Sequence, residues 1–152
     1  MTGNILGMIV AIAMIAPVAS VNAQDVGRKV ILTPDAPKPI GPYSQAIGRG
    51  KTLYLSGQIA IDPATNQFLS NGSIEDQTRR VLDNLAAVLA ADDLTMDHIV
   101  STTVFLKDVN DFAKMNEIYA HISRMRRLLG QRLRSLVYLA IKIEISAIAV
   151  AR

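Results

Sequence analysis

From Leu53 to Ile61 apolar residues alternate with smaller or polar ones, which is the two-residue period of a half-buried strand. Side chains of a strand alternate between its faces. Leu53, Leu55, Ile59 and Ile61 are therefore predicted to share the core face, with Tyr54, Ser56, Gln58 and Ala60 opposite them. Gly57 in mid-strand gives up packing and backbone entropy, which signals a group that must approach the backbone closely. Further on the period changes. Ser73 has the character of an N-cap, Glu75 and Asp76 suit the positive end of a helix, and Ile74, Thr78, Val81, Leu85, Val88 and Leu89 recur at three- and four-residue steps. That stripe predicts a helix running to about Ala91 and lying on the sheet.

The rest of the chain divides in the same way. Val26 to Leu32 reads as a first strand, Pro34 to Pro42 as an extended connection, Ser44 to Ala46 as a short second strand, and Gly48 to Lys51 as the turn into the central one. That turn does not make a phosphate loop, because the required glycine five positions before Gly50 is Gln45. Asp62 to Asn66 is a turn by composition. Ile99 to Leu106 is β-branched and aromatic, hence a strand. Lys107 to Asn110 ends it and caps a second helix with Phe112, Met115, Asn116 and Tyr119 on one face. Ile122 to Leu139 reads as a basic amphipathic helix, and Leu136 to Val150 lacks the turn residues that two adjacent antiparallel strands would need. The expected fold is a single α+β domain, an antiparallel or mixed sheet with two helices packed on one face.

Composition changes this picture at the N-terminus. No residue before Asp25 is charged, and Ile5 to Val18 is apolar apart from Gly7 and Pro17. Val21-Asn22-Ala23 then resembles a signal-peptidase site. The run is shorter than the ~20 residues that a spanning helix requires. The expectation is a cleaved signal peptide over 1–23 and a domain over 24–152, exported to a periplasm or secreted, with a cytoplasmic location as the alternative. Cysteine is absent, so no disulfide, thiolate metal cluster or thiol nucleophile is available. His98 and His121 are too few and too far apart in sequence to suggest a metal site. The net charge of +3 is local, since without Arg124, Arg126, Arg127, Arg132 and Arg134 the balance becomes −2. No nucleic-acid partner is expected. A basic helix there could touch an anionic surface, although such a face is more commonly just solvated.

Gly41-Pro42-Tyr43-Ser44-Gln45, Leu53-Tyr54-Leu55-Ser56-Gly57-Gln58-Ile59 and Lys142-Ile143-Glu144-Ile145-Ser146-Ala147-Ile148-Ala149-Val150 together resemble the RidA/YjgF family of reactive-intermediate deaminases. The resemblance covers Pro37 to Tyr119 and resumes over Ile141 to Val150. Between them the family shows a loop, a Pro-Ala-Arg-Ser motif and a Leu-Pro-Lys-Asp type of turn. This chain retains only Arg134-Ser135 and Val137 of the motif, and an altered reading frame over about 120–140 would account for the departure.

The resemblance implies hydrolysis of reactive 2-imino and enamine acids, such as 2-iminobutanoate and 2-iminopropanoate, to 2-keto acids and ammonia, without a cofactor or metal. It also implies a homotrimer with sites between subunits. Carried over position by position, Glu144 would act on water as the catalytic carboxylate. Arg134, with Arg132 and Arg127 as competitors, would bind the substrate carboxylate. Tyr43, Ser56, Gly57 and Asn116 would line the substrate pocket. Spacing alone is weaker: Glu144 between Ile143 and Ile145 is what a solvated strand face shows, and Tyr43, Ser56 and Asn116 have ordinary turn, backbone-satisfying and capping readings. The alternative function is a non-catalytic protein of this type that binds small carboxylates or protein partners.

Overall fold

The structure, a computed structural model, describes residues 27–123, 129–134 and 141–152, with the backbone alone at 121–123 and 129–134. The expected signal peptide lies outside the described residues. Six strands form one sheet: β1 (Arg28–Ile31), β2 (Ala46–Arg49), β3 (Thr52–Gln58), β4 (Ile99–Leu106), β5 (Leu129–Arg134) and β6 (Ile143–Val150), in the spatial order β1-β2-β3-β6-β4-β5. Every pairing is antiparallel except that of β4 with β5. Helices α1 (Ile74–Ala90) and α2 (Phe112–Ser123) complete the α+β domain.

Local chemistry sets the elements as the residues suggest. Ser73 caps α1: its hydroxyl accepts from the Asp76 backbone N–H, and the Asp76 carboxylate accepts from the Ser73 N–H, a reciprocal satisfaction of two otherwise unpaired donors. The Ser73 hydroxyl holds the Asp76 carboxyl below its ordinary range. Ile74, Thr78, Val81, Leu85, Val88 and Leu89 are all buried. The apolar members share one core with Leu53, Leu55, Ile143 and Ile145, each large side chain adding about 1.5–3 kcal/mol. Asn84, on the same buried face, donates to the carbonyls of Ile59 (3.1 Å) and Ile61 (2.9 Å). It thereby ties the helix to the chain leaving β3. Gly50 takes the left-handed φ of 61° needed to turn β2 into β3.

Two expectations are corrected. Ile59 was expected beside Leu55 on the core face, but Leu55 pairs with Ala147 and Gln58 with Ile145. Ser56 and Gly57 therefore stand together opposite Ser146, and this bulge reverses the alternation. Gln58 is buried instead and Ile59 is only partly so. Second, the segment expected to be a basic helix over 122–139 contains strand β5, since α2 ends at Ser123. β5 supplies hydrogen-bond partners to the open edge of β4, which a helix cannot do. Within 136–150 the described residues carry one strand, β6, placed between β3 and β4 and antiparallel to both, while β5 lies on the far side of β4 and parallel to it.

On the other face of the sheet, successive strands align Val30 with Ile47, Ile47 with Tyr54, and Tyr54 with Ile148. Val30 and Tyr54 in this row are exposed. No helix among the described residues is long and apolar enough to cross a membrane.

Candidate functional site

The bulge in β3 opens a cleft of about 410 Å³ lined by Ile40, Tyr43, Ser56, Gly57, Ile59, Ile141 and Glu144. Three separate parts of the chain meet there: the loop before β2, the bulged end of β3 and the start of β6. Two consecutive residues face the cleft from β3 because the bulge interrupts its alternation.

Each wall is held by backbone bonds. Ser56 donates its hydroxyl to the Ser44 carbonyl at 2.5 Å, and its N–H donates to the Gln45 carbonyl at 3.0 Å. The buried Gln45 side chain organises the preceding loop: its carbonyl oxygen accepts from the Thr33 N–H at 2.6 Å, and its amide donates to the carbonyls of Thr33, Ala36 and Pro37. Tyr43 donates its N–H to the Gly41 carbonyl, and its phenol oxygen accepts from the Ile40 N–H at 3.3 Å. The Tyr43 side chain is half exposed.

Glu144 lies on β6 opposite Phe105 of β4. Burial pushes its carboxyl above the ordinary glutamate range, because a charged carboxylate loses hydration among apolar walls. Among the described residues no cation lines the cleft. The close approach expected at Gly57 is made by this side chain: a Cβ there would lie 2.0 Å from Glu144 Oε1 and 2.8 Å from Cδ. The site thus pairs a half-buried carboxylate of raised proton affinity with a serine, a tyrosine and an isoleucine wall. Such a group holds a proton to higher pH than a solvated glutamate does.

The structure brings Tyr43, Ser56, Gly57 and Glu144 together. Asn116 is half-buried on α2 and is not in the cleft lining. Arg134 ends β5, its backbone in register with Leu106; its side chain, that of Arg132 and all of Arg127 lie outside the described residues. Sequence reasoning missed Ile40, Ile59 and Ile141 as walls. Ile40 precedes the Gly41-Pro42-Tyr43 motif and Ile141 precedes Lys142-Ile143-Glu144, so proximity to those motifs was the available signal. Ile59 depended on the bulge. Among the described residues no group of acidic or histidine side chains is placed to hold a metal.

The model of a family described as Endoribonuclease L-PSP matches residues 33–151. A RutC family protein of Pyrococcus horikoshii is 55% identical over 93 residues, which cover 61% of this chain and 73% of that protein. The 2-iminobutanoate/2-iminopropanoate deaminase of Mus musculus is 46% identical over 92 residues, covering 60% of this chain and 67% of that one. Among solved structures, the YjgF gene product of E. coli has a TM-score of 0.76 at 38% identity and covers 82% of this chain and 99% of its own. E. coli TdcF with bound serine gives 0.76 at 34% identity, with coverages of 82% and 99%. The fold, the motifs that line the cleft and these likenesses together show that the chain belongs to the RidA/YjgF family.

Proposed function

We propose that this protein hydrolyses reactive 2-imino and enamine acids, such as 2-iminobutanoate and 2-iminopropanoate, to 2-keto acids and ammonia. The observation that carries the reading is the half-buried Glu144 carboxylate, its proton affinity raised by burial, facing Ser56 and Tyr43 in a cleft with isoleucine walls. The deaminase named among the relatives supports the choice of substrate.

Glu144 takes a proton from water as the water oxygen attacks C2 of the protonated imine. The C=N pair moves to nitrogen and an amino alcohol forms. The proton then passes from Glu144 to that nitrogen, the C–N bond breaks with its pair leaving on nitrogen as ammonia, and Glu144 takes the hydroxyl proton as the carbonyl forms and passes it to the departing ammonia. Water and iminium become keto acid and ammonium. The isoleucines in the lining suit a short aliphatic substituent. Arg134, or Arg132 or Arg127, holds the substrate carboxylate, a role suited to the planar guanidinium.

The working form is a homotrimer, for which the row Val30, Ile47, Tyr54 and Ile148 supplies an apolar contact face. A signal peptide over 1–23 exports the domain. The second reading, a non-catalytic protein that binds small carboxylates, is favoured by the serine bound to one relative and by the departure from the arginine motif.

The test uses freshly generated 2-iminopropanoate. Turnover by residues 24–152 that Glu144→Ala abolishes with the fold intact supports the deaminase. Ligand binding without turnover supports the second reading, and absence of both sinks both.

A further inference from the structure

Gln77 lies on α1, is fully buried, and is outside the cleft lining. Its side chain spans two segments that no backbone ladder joins. Its carbonyl oxygen accepts from the Lys142 N–H at 3.0 Å, and its amide donates to the Leu69 carbonyl at 2.9 Å. Lys142 immediately precedes β6, and its own carbonyl accepts from the Lys107 N–H at 2.9 Å. The two peptide groups that flank Lys142, two residues before Glu144, are therefore each held, one by α1 through Gln77 and the other by Lys107 just after β4. Ile141, on the other side of the clamp, forms part of the cleft wall.

We propose that Gln77 is a positioning residue for the site, fixing the entry of β6 so that Ile141 and Glu144 meet the bulged end of β3 in the geometry the reaction uses. This rests on the deaminase reading for its catalytic consequence but not for its structural one. An apolar core side chain of the same length would fill the same space on α1. An amide satisfies both polar groups at once, and leaving the part-buried Lys142 N–H unpaired would favour displacement of the strand entry toward water. Catalytic groups tolerate little such displacement, since about 1 Å of misplacement can cost on the order of a hundredfold in rate.

The test compares Gln77→Met with Thr78→Val. Thr78 is the next residue of α1, equally buried, and its hydroxyl bonds only within the helix, to the Ile74 carbonyl. The first readout is the titration of the Glu144 carboxyl by carbon NMR, which needs no turnover. Tyr43 is the other titratable side chain of the cleft lining, with Ser56 and Gly57 facing from β3 and no Lys or Arg among the described lining residues. Gln77→Met is expected to move the Glu144 midpoint down toward the ordinary glutamate range, and to lower kcat roughly ten- to a hundredfold with KM changing less. Thr78→Val is expected to lower the melting temperature and leave both unmoved.

If Gln77→Met does not fold, Gln77→Asn serves, because one methylene less cannot span both partners. A Glu144 titration unchanged in a folded Gln77 variant overturns the proposal. Loss of titration shift in a chain that never turns over imines leaves the positioning role standing and removes the deaminase reading alone.

Discussion

The space that a side chain would occupy at Gly57 is taken by the carboxylate of Glu144: a Cβ at Gly57 would lie 2.0 Å from Oε1 and 3.0 Å from Cγ. The two residues sit on adjacent strands, and the bulge between Leu55 and Gln58 brings them into contact. The glycine is thus required by the glutamate and not by its own backbone angles.

Gly57→Ala should therefore displace Glu144 while leaving the sheet intact. Overpacking of this kind costs about 1–3 kcal/mol, so a modest fall in melting temperature is expected together with a loss of imine turnover on the order of a hundredfold. Unchanged turnover in a folded Gly57→Ala protein would show that the position of Glu144 does not matter to the reaction.

Glu144 also makes stability depend on pH. Burial raises its folded-state pKa above the unfolded one, so between those values the native state binds more protons than the unfolded state, and stability falls as pH rises through that window. Above it the full cost of burying the charge is present; below the ordinary glutamate range it is absent. Glu144→Gln should raise the melting temperature at pH 7, with the gain vanishing in acid, even as it removes catalysis. A gain that persists in acid would point to packing instead of charge.

The row of Val30, Ile47, Tyr54 and Ile148 crosses four adjacent strands. A charge buried without a partner in an assembled interface is strongly unfavourable. For the proposed trimer, Ile148→Glu should yield a folded monomer by light scattering together with loss of turnover. An undiminished assembly would place the contact face elsewhere.

Residues 124–139 read Arg-Met-Arg-Arg-Leu-Leu-Gly-Gln-Arg-Leu-Arg-Ser-Leu-Val-Tyr-Leu. The genetic code allows these residues a set of codons that, read from the last base of the Arg124 codon, spells Asp-Ala-Pro-Pro-Ala-Arg-Ser-Thr-Val-Glu-Val-Ala-Arg-Leu-Pro. That frame restores Pro-Ala-Arg-Ser and a following Leu-Pro. Its arginine falls across the codons of Leu129 and Gly130, at the start of β5, and not at Arg134. Sequencing the gene should reveal this codon set bounded by compensating single-base changes, and the frame-restored chain should surpass the present one in turnover. Synonymous bases incompatible with that spelling would sink the idea.

Much of this protein was legible in its sequence because the signals are local. Ser73 and Asp76 cap α1 through groups three residues apart, and the stripe from Ile74 to Leu89 follows from helical geometry alone. The motifs around Tyr43, Ser56 and Glu144 marked cleft residues, and Gly57 announced a close approach without saying by what. Tertiary structure decided the rest. The phase reversal at Ser56 and Gly57 depends on register with Ala147 and Ile145, residues some ninety positions away, and no period within β3 encodes it. The pairing of β5 with β4 is a choice of neighbour made by an open sheet edge, so the residues of β5 could be read as a helix as easily as a strand. The proton affinity of Glu144 is likewise not a property of Ile143-Glu144-Ile145, which alone describes a solvated face. It arises from the partial burial of the carboxylate in the cleft, which costs the charged form hydration.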